Sequence, residues 1–200
     1  MKKTISTQLL VRENSLDRDG FRGWVFRKGM LFNSRKAWWG ARGERNRPHE
    51  GLDFLLYRDQ LGRDMRLARE TRIPVLYDGV VMSIVNDFLG KSVIVAHQLP
   101  DHGRVFLSIY GHTAPTDRIR IGKTLEKGEI IGTLADTRNS RTKIYPHLHL
   151  SLGWISKENL SHNLDWEKIG DPKIVTLIDP LTVTDGPYHV VSPKYENSSA

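Results

Sequence analysis

Two hundred residues, 38% of them hydrophobic and 26% charged, suit one globular domain of ordinary core size with extensions. No apolar run approaches the roughly 18 residues that a membrane-spanning helix needs, and the absence of cysteine excludes disulfides and thiolate ligands, so any transition-metal site must be built from His, Asp and Glu. A formal charge of +7 favours an anionic partner such as nucleic acid, a phospholipid surface or an acidic wall polymer, without choosing among them.

The start, Met1-Lys2-Lys3-Thr4-Ile5, resembles the basic end of a signal peptide, but Gln8, Arg12, Glu13 and Asn14 interrupt the apolar stretch that would follow, so no export signal is expected. Residues 1–35 read as an N-terminal extension, with a turn at Asp17 to Gly20 and a short apolar patch at Trp24-Val25-Phe26. Next, Arg35, Lys36, Arg42, Arg45 and Arg47 interleave with Trp38 and Trp39. Basic and aromatic residues together can bind nucleic acid, but no recognition helix or RNA-binding motif accompanies these. They read instead as a solvated rim or the lining of a substrate groove.

Pro48-His49-Glu50-Gly51-Leu52-Asp53-Phe54 carries a His-x-x-x-Asp, and Leu52, Phe54 and Leu56 alternate like a strand that begins at the glycine. The Arg-rich piece Arg58 to Arg72 reads as a hairpin turning at Gln60-Leu61-Gly62 rather than a short helix. After Pro74 come strand signals at 79–85, 92–97, 105–110, 119–121 and 130–134, separated by turns rich in Gly, Asp, Asn or Pro. Connections this short cannot hold crossover helices, so the domain is expected to be all-β and mainly antiparallel. In Tyr145 to Trp154 the alternation is strict: His147, His149 and Ser151 share one parity, Leu148, Leu150 and Leu152 the other. Both imidazoles then face the same way, about 6.6 Å apart, so one can bind a metal while the other faces that metal's water. Residues 155–178 read as polar and irregular, Asp179-Pro180-Leu181 as a return to packed structure, and Ser192 to Ala200 as a frayed end. The domain division is thus an extension over 1–35, one domain over 36–185 and a tail over 186–200.

Three segments offer ligand-type residues: His49 with Asp53, His112 in Tyr110-Gly111-His112-Thr113, and His147 with His149. Two histidines and one carboxylate leave a fourth position open for water, the arrangement of a catalytic zinc site. Two histidines then remain, and a hydrolytic site needs such groups for the water's proton and for the oxyanion. An iron oxygenase uses the same ligand types but does not require the remaining pair.

His-x-x-x-Asp, then Tyr-Gly-His, then Pro-His-Leu-His in a β-rich chain resembles the lysostaphin-type, or LytM-like, zinc metallopeptidases, which are peptidoglycan endopeptidases. Ile73-Pro74-Val75 and Asp78-Gly79-Val80-Val81, Val93 to His97, Ile121 to Gly132, and Asp179-Pro180-Leu181 extend the resemblance from about Gly40 to Leu181. It implies a peptidase domain of the duplicated hybrid motif type with a zinc site in a groove. Carried over, it makes His49, Asp53 and His149 the zinc ligands, with His147 and His112 flanking the bound water and the scissile carbonyl. It implies a peptidoglycan peptide as substrate and a place in the cell envelope; with no recognition motif in the chain, no nucleic-acid partner is expected. The long stretches 55–72 and 156–176 and the lack of an export signal depart from the family pattern. A wall-binding or regulatory module that keeps the fold without turnover is the alternative. His97 reads as structural, His102, His162 and His189 as solvated, and Tyr110 and Tyr145 as packing residues or groove edges.

Overall fold

The computed structural model describes residues 6–39, 43–99, 103–138, 144–161 and 163–191. Three strand segments that carry chemistry lie side by side in it. Strand β1 (Gly23–Arg27) precedes a long irregular stretch, after which β2 (Leu52–Phe54), β3 (Leu56–Arg58), β4 (Asp64–Arg66) and β5 (Arg72–Pro74) follow closely. Longer strands come next: β6 (Gly79–Asn86), β7 (Lys91–His97) and β8 (Arg104–Pro115), then the short β9 (Thr124–Leu125) and β10 (Ile130–Leu134). The chain closes with β11 (Leu148–Ser156), β12 (Val175–Ile178) and β13 (Tyr188–Val191). Among the described residues the larger sheet runs β12-β11-β8-β7-β6-β9, with β2 paired to β11 and β10 bridging β8 to β5. All of its pairings are antiparallel, as the short connections require.

The smaller sheet runs β13-β1-β3-β4, and its β1–β13 pair is parallel, joining the two ends of the chain. The hairpin expected between 58 and 72 is β3–β4, and it turns on Asp59, whose buried carboxylate accepts from Leu61 N, Arg63 N and Arg63 Nε. Residues 6–34 are more ordered than their mixed composition suggests. Helix α1 (Ser6–Glu13) begins on Asp185, whose Oδ1 accepts from Thr7 N at 2.7 Å. Trp24, Val25 and Phe26 are fully buried in the same core as Leu52, Phe54, Val93 and Leu150. Burial of this kind contributes about 1.5–3 kcal/mol per large apolar side chain.

Two strand-level expectations are corrected. The 119–121 segment is a turn, since Ile119 N bonds Thr116 O and Lys123 N bonds Arg120 O, and pairing resumes only at β9. Residues 155–178 are not irregular: they hold the end of β11, a short helix α2 (Trp166–Ile169) capped by Asp165, and β12. Leu164, Ile169 and Val175 form an apolar cluster against Ile94, Leu107 and Ile109 on the outer face of the sheet.

Candidate metal centre

Register assembles the site. Asp53 on β2 pairs with His149 on β11, and His149 pairs with Gly111 on β8, so one row across three strands carries a carboxylate, an imidazole and a glycine. Directly opposed residues of antiparallel strands project on the same face, which puts Asp53 beside His149. His49 enters from the preceding turn, its backbone held by Ser34 O and Asn33 N. His49 Nε2, Asp53 Oδ1 and His149 Nδ1 form a triangle with edges of 3.0, 3.0 and 2.9 Å, all three residues buried.

Proton bookkeeping shows what the triangle lacks. His49 Nδ1 lies 3.0 Å from Leu31 O, so the N–H must be there and Nε2 carries a bare lone pair. That lone pair faces a carboxylate oxygen at 3.0 Å, a repulsive contact unless a cation lies between them. His149 Nε2 is 2.9 Å from Ser151 Oγ, and with its proton there its Nδ1 is bare as well. Burial pulls the His149 pKa down to about 3, so the ring itself does not supply the charge. A tetrahedral ion with bonds of about 2.0 Å has ligand atoms about 3.3 Å apart, within a few tenths of these edges. The three residues therefore fit a divalent metal, with one side left open.

His147 lies on that side. Its Nδ1 donates to Tyr145 O at 2.8 Å, which leaves Nε2 as the acceptor, 3.8 Å from Asp53 Oδ1. Burial lowers its pKa to about 4, outweighing the pull of Asp53 in the other direction. His112 comes from a distortion of β8. Strand alternation would send it to the opposite face from Gly111, but two steps along β7 (Lys91 to Val93) span three along β8 (Thr113 to Tyr110). At this bulge His112 adopts a left-handed φ of 61° and lines the cleft, its ring centroid 4.8 Å from that of His147.

Asp87, which the sequence presents only as a turn residue, holds that conformation. Its Oδ1 accepts from His112 Nδ1 at 3.0 Å and its Oδ2 from His112 N at 2.9 Å and Ser92 Oγ at 2.6 Å. Ser92 Oγ in turn accepts from Trp166 Nε1, and the Trp166 ring packs edge-on against His149. Burial works against the Asp87 charge, but the hydrogen bonds from His112 and Ser92 win and keep its carboxyl well below the usual carboxylate range. The cleft, about 290 Å³, is lined by His112, His147 and His149 with Asp53, Asp87, Trp39, Arg45, Phe88 and Trp166 among others.

The remaining expected residues separate cleanly. His97 lies at the far end of β7, held between Asp78 O and Ser108 Oγ, and does not line the cleft. Tyr110 is buried, its hydroxyl accepting from Leu76 N and Ser108 Oγ, so it packs rather than edges the groove. Tyr145 is half exposed with the Arg66 guanidinium over its ring, and His189 is exposed on β13. His102, His162, Arg42, Met1 to Ile5 and Ser192 to Ala200 lie outside the described residues.

Gly51 is where the site admits no side chain. A Cβ there would lie 2.4 Å from Leu150 O, 2.7 Å from Ser151 Oγ and 2.8 Å from His149 Nε2. Gly51→Ala should therefore cost about 1–3 kcal/mol of overpacking, lowering Tm by about 2–12 °C, and displace His149. Thermal melting and metal content measured together test this, and a variant unchanged in both would show that the β2–β11 junction can yield.

A β-rich domain with two histidines and one carboxylate beside an open cleft has the donor set of a catalytic metal site, which metallopeptidases share. Residues 58–161 match the model of Peptidase family M23, and the chain belongs to that family. The match contains His112, His147 and His149 but not His49 or Asp53; Asp53 joins them through the β2–β11 pairing and His49 from the turn before it. The resemblance to lysostaphin-type peptidases thus holds for family and fold. Among solved structures, the NMR solution structure of lysostaphin is similar over 98% of this chain and 61% of that one, with a TM-score of 0.51 and 16% identity. The catalytic domain of the antimicrobial peptidase lysostaphin from Staphylococcus simulans aligns over 90% of this chain and 97% of that one, with a TM-score of 0.45 and 15% identity. No curated protein matches the chain. No helix among the described residues is long and apolar enough to cross a membrane.

Proposed function

We propose that this protein is a zinc endopeptidase that hydrolyses peptide cross-links of bacterial peptidoglycan and works in the cell envelope. One observation carries the reading: three ligand-type atoms of His49, Asp53 and His149 converge at 2.9–3.0 Å, and His112 and His147 line the same cleft as Asp53 and His149. His49, Asp53 and His149 would hold the ion. Zinc bound there would supply Lewis acidity, polarising the scissile carbonyl and lowering the pKa of the attacking water. His147, with Nδ1–H fixed on Tyr145 O, offers Nε2 to take the water's proton and return it to the leaving amine. His112 has Nδ1 committed to Asp87 and only Nε2 left for the cleft. With the ring fixed by the Asp87 carboxylate, Nε2 is placed to meet the developing oxyanion. The M23 membership and the lysostaphin-like fold support a wall peptide as substrate, and the net charge of +7 suits an anionic polymer.

Metal analysis of protein purified without chelators should give one zinc per chain, and a peptidoglycan digest followed by muropeptide analysis should show cleaved cross-links. Asp53→Ala should abolish both. Iron in place of zinc would point to oxygenase chemistry, and an unchanged muropeptide profile from zinc-loaded protein would favour a binding module.

A further inference from the structure

The half of the site that the family match does not cover contains a tryptophan in an unusual position. Trp38 Nε1–H donates to Asp53 Oδ2 at 2.6 Å, and Arg45 Nη2 approaches the same oxygen at 3.4 Å. The other carboxylate oxygen, Oδ1, is the one that faces His49 and His149. The Trp38 ring also meets His147 edge to face, with centroids 4.9 Å apart at 84°. One side chain therefore touches both an expected ligand and the expected base.

We propose that Trp38 is a positioning residue of the metal centre, clamping Asp53 through Oδ2 so that Oδ1 alone is presented to the ion, and packing against the ring of His147. This rests on the reading that His49, Asp53 and His149 bind zinc. The segment that presents Trp38 is built for the purpose. Lys36 bridges Glu44, Ala37 N bonds Gly43 O, and Arg45 N bonds Arg35 O. Arg45 then ties these two paired segments to what lies beneath them, donating to Lys36 O and Gly29 O while its guanidinium covers the Trp39 ring at 4.2 Å. Gly29 lets the strand sit close, since a Cβ there would lie 2.6 Å from Trp38 N. The basic, aromatic stretch that reads as a groove rim is also the outer support of the carboxylate. Outer partners of ligating carboxylates orient them, and their loss lowers metal affinity.

The test is to titrate the zinc-loaded full-length protein with a competing chelator. Trp38→Phe, which keeps an aromatic ring beside His147 but removes the N–H donor together with part of the indole, should bind zinc about 10- to 100-fold more weakly. A merely structural tryptophan would lower the melting temperature and leave zinc affinity within about twofold of wild type, and that result overturns the proposal. Should wild type itself hold no zinc, the ligand reading fails and this proposal with it, which is a distinguishable outcome. A second measurement does not depend on the variant's folding: in the zinc-loaded wild type, the Trp38 indole N–H should give a downfield proton resonance that exchanges slowly with solvent. A fast-exchanging resonance at an ordinary shift overturns the clamp.

Discussion

His147→Ala is expected to purify with its zinc and to lose about 10²–10⁴ in kcat, the usual contribution of a general base. His149→Ala, two residues along the same strand face, is expected to lose metal and activity together. The different outcomes follow from the neighbours of each ring. His149 Nδ1 sits 2.9 Å from Asp53 Oδ1 and 3.0 Å from His49 Nε2, so removing it deletes one corner of a three-cornered site. His147 Nε2 stands back at 3.8 Å from the same oxygen, outside ligand distance of the cluster yet within reach of a water on its open side. With its pKa lowered to about 4 by burial, His147 is unprotonated at neutral pH and free to accept a proton. Metal content by mass spectrometry and turnover measured on the same preparations decide it. Zinc lost from His147→Ala and kept by His149→Ala would mean that the two roles are exchanged.

Much of this site is legible in the chain because period-2 patterning reports which side chains share a face. Leu148, Leu150 and Leu152 are buried in the β11 core as their parity predicts, and His149 with Ser151 lines the other side. The same rule fails at His112, and the failure has a physical cause. Alternation places His112 opposite Gly111, away from the cleft, and only the β8 bulge and a left-handed φ bring it back. No local sequence signal marks that bulge, since the extra residue is counted against β7, a different strand. Asp87 is hidden for a related reason: in Asn86-Asp87-Phe88-Leu89-Gly90 it reads as an Asx turn, and it does accept from Leu89 N and Gly90 N. Another of its partners, His112, lies 25 residues away in sequence. The strands and helix within residues 6–35 and 155–178 were obscured because they are short and gain stability mainly from long-range pairing, such as β1 with β13 and β12 with β11.

Asp87→Ala should keep zinc and lose about 10²–10³ in kcat, nearly as much as His112→Ala, because its carboxylate is what holds His112 in the cleft. A left-handed φ at a residue with a side chain costs about 1–3 kcal/mol and persists only where the surroundings impose it. Here they do so through Asp87, which accepts from both the backbone N–H and the ring N–H of His112, while Ala135 N holds the His112 carbonyl. Without the carboxylate, β8 can relax toward regular alternation and carry the imidazole out of the site. Groups that act as one unit are not additive, so the double variant Asp87→Ala/His112→Ala should be no slower than His112→Ala alone. Steady-state kinetics on the four proteins, each with its zinc content confirmed, close this cycle. If the two losses multiplied in the double variant, Asp87 would be acting on something other than His112, and its role in presenting that ring would be wrong.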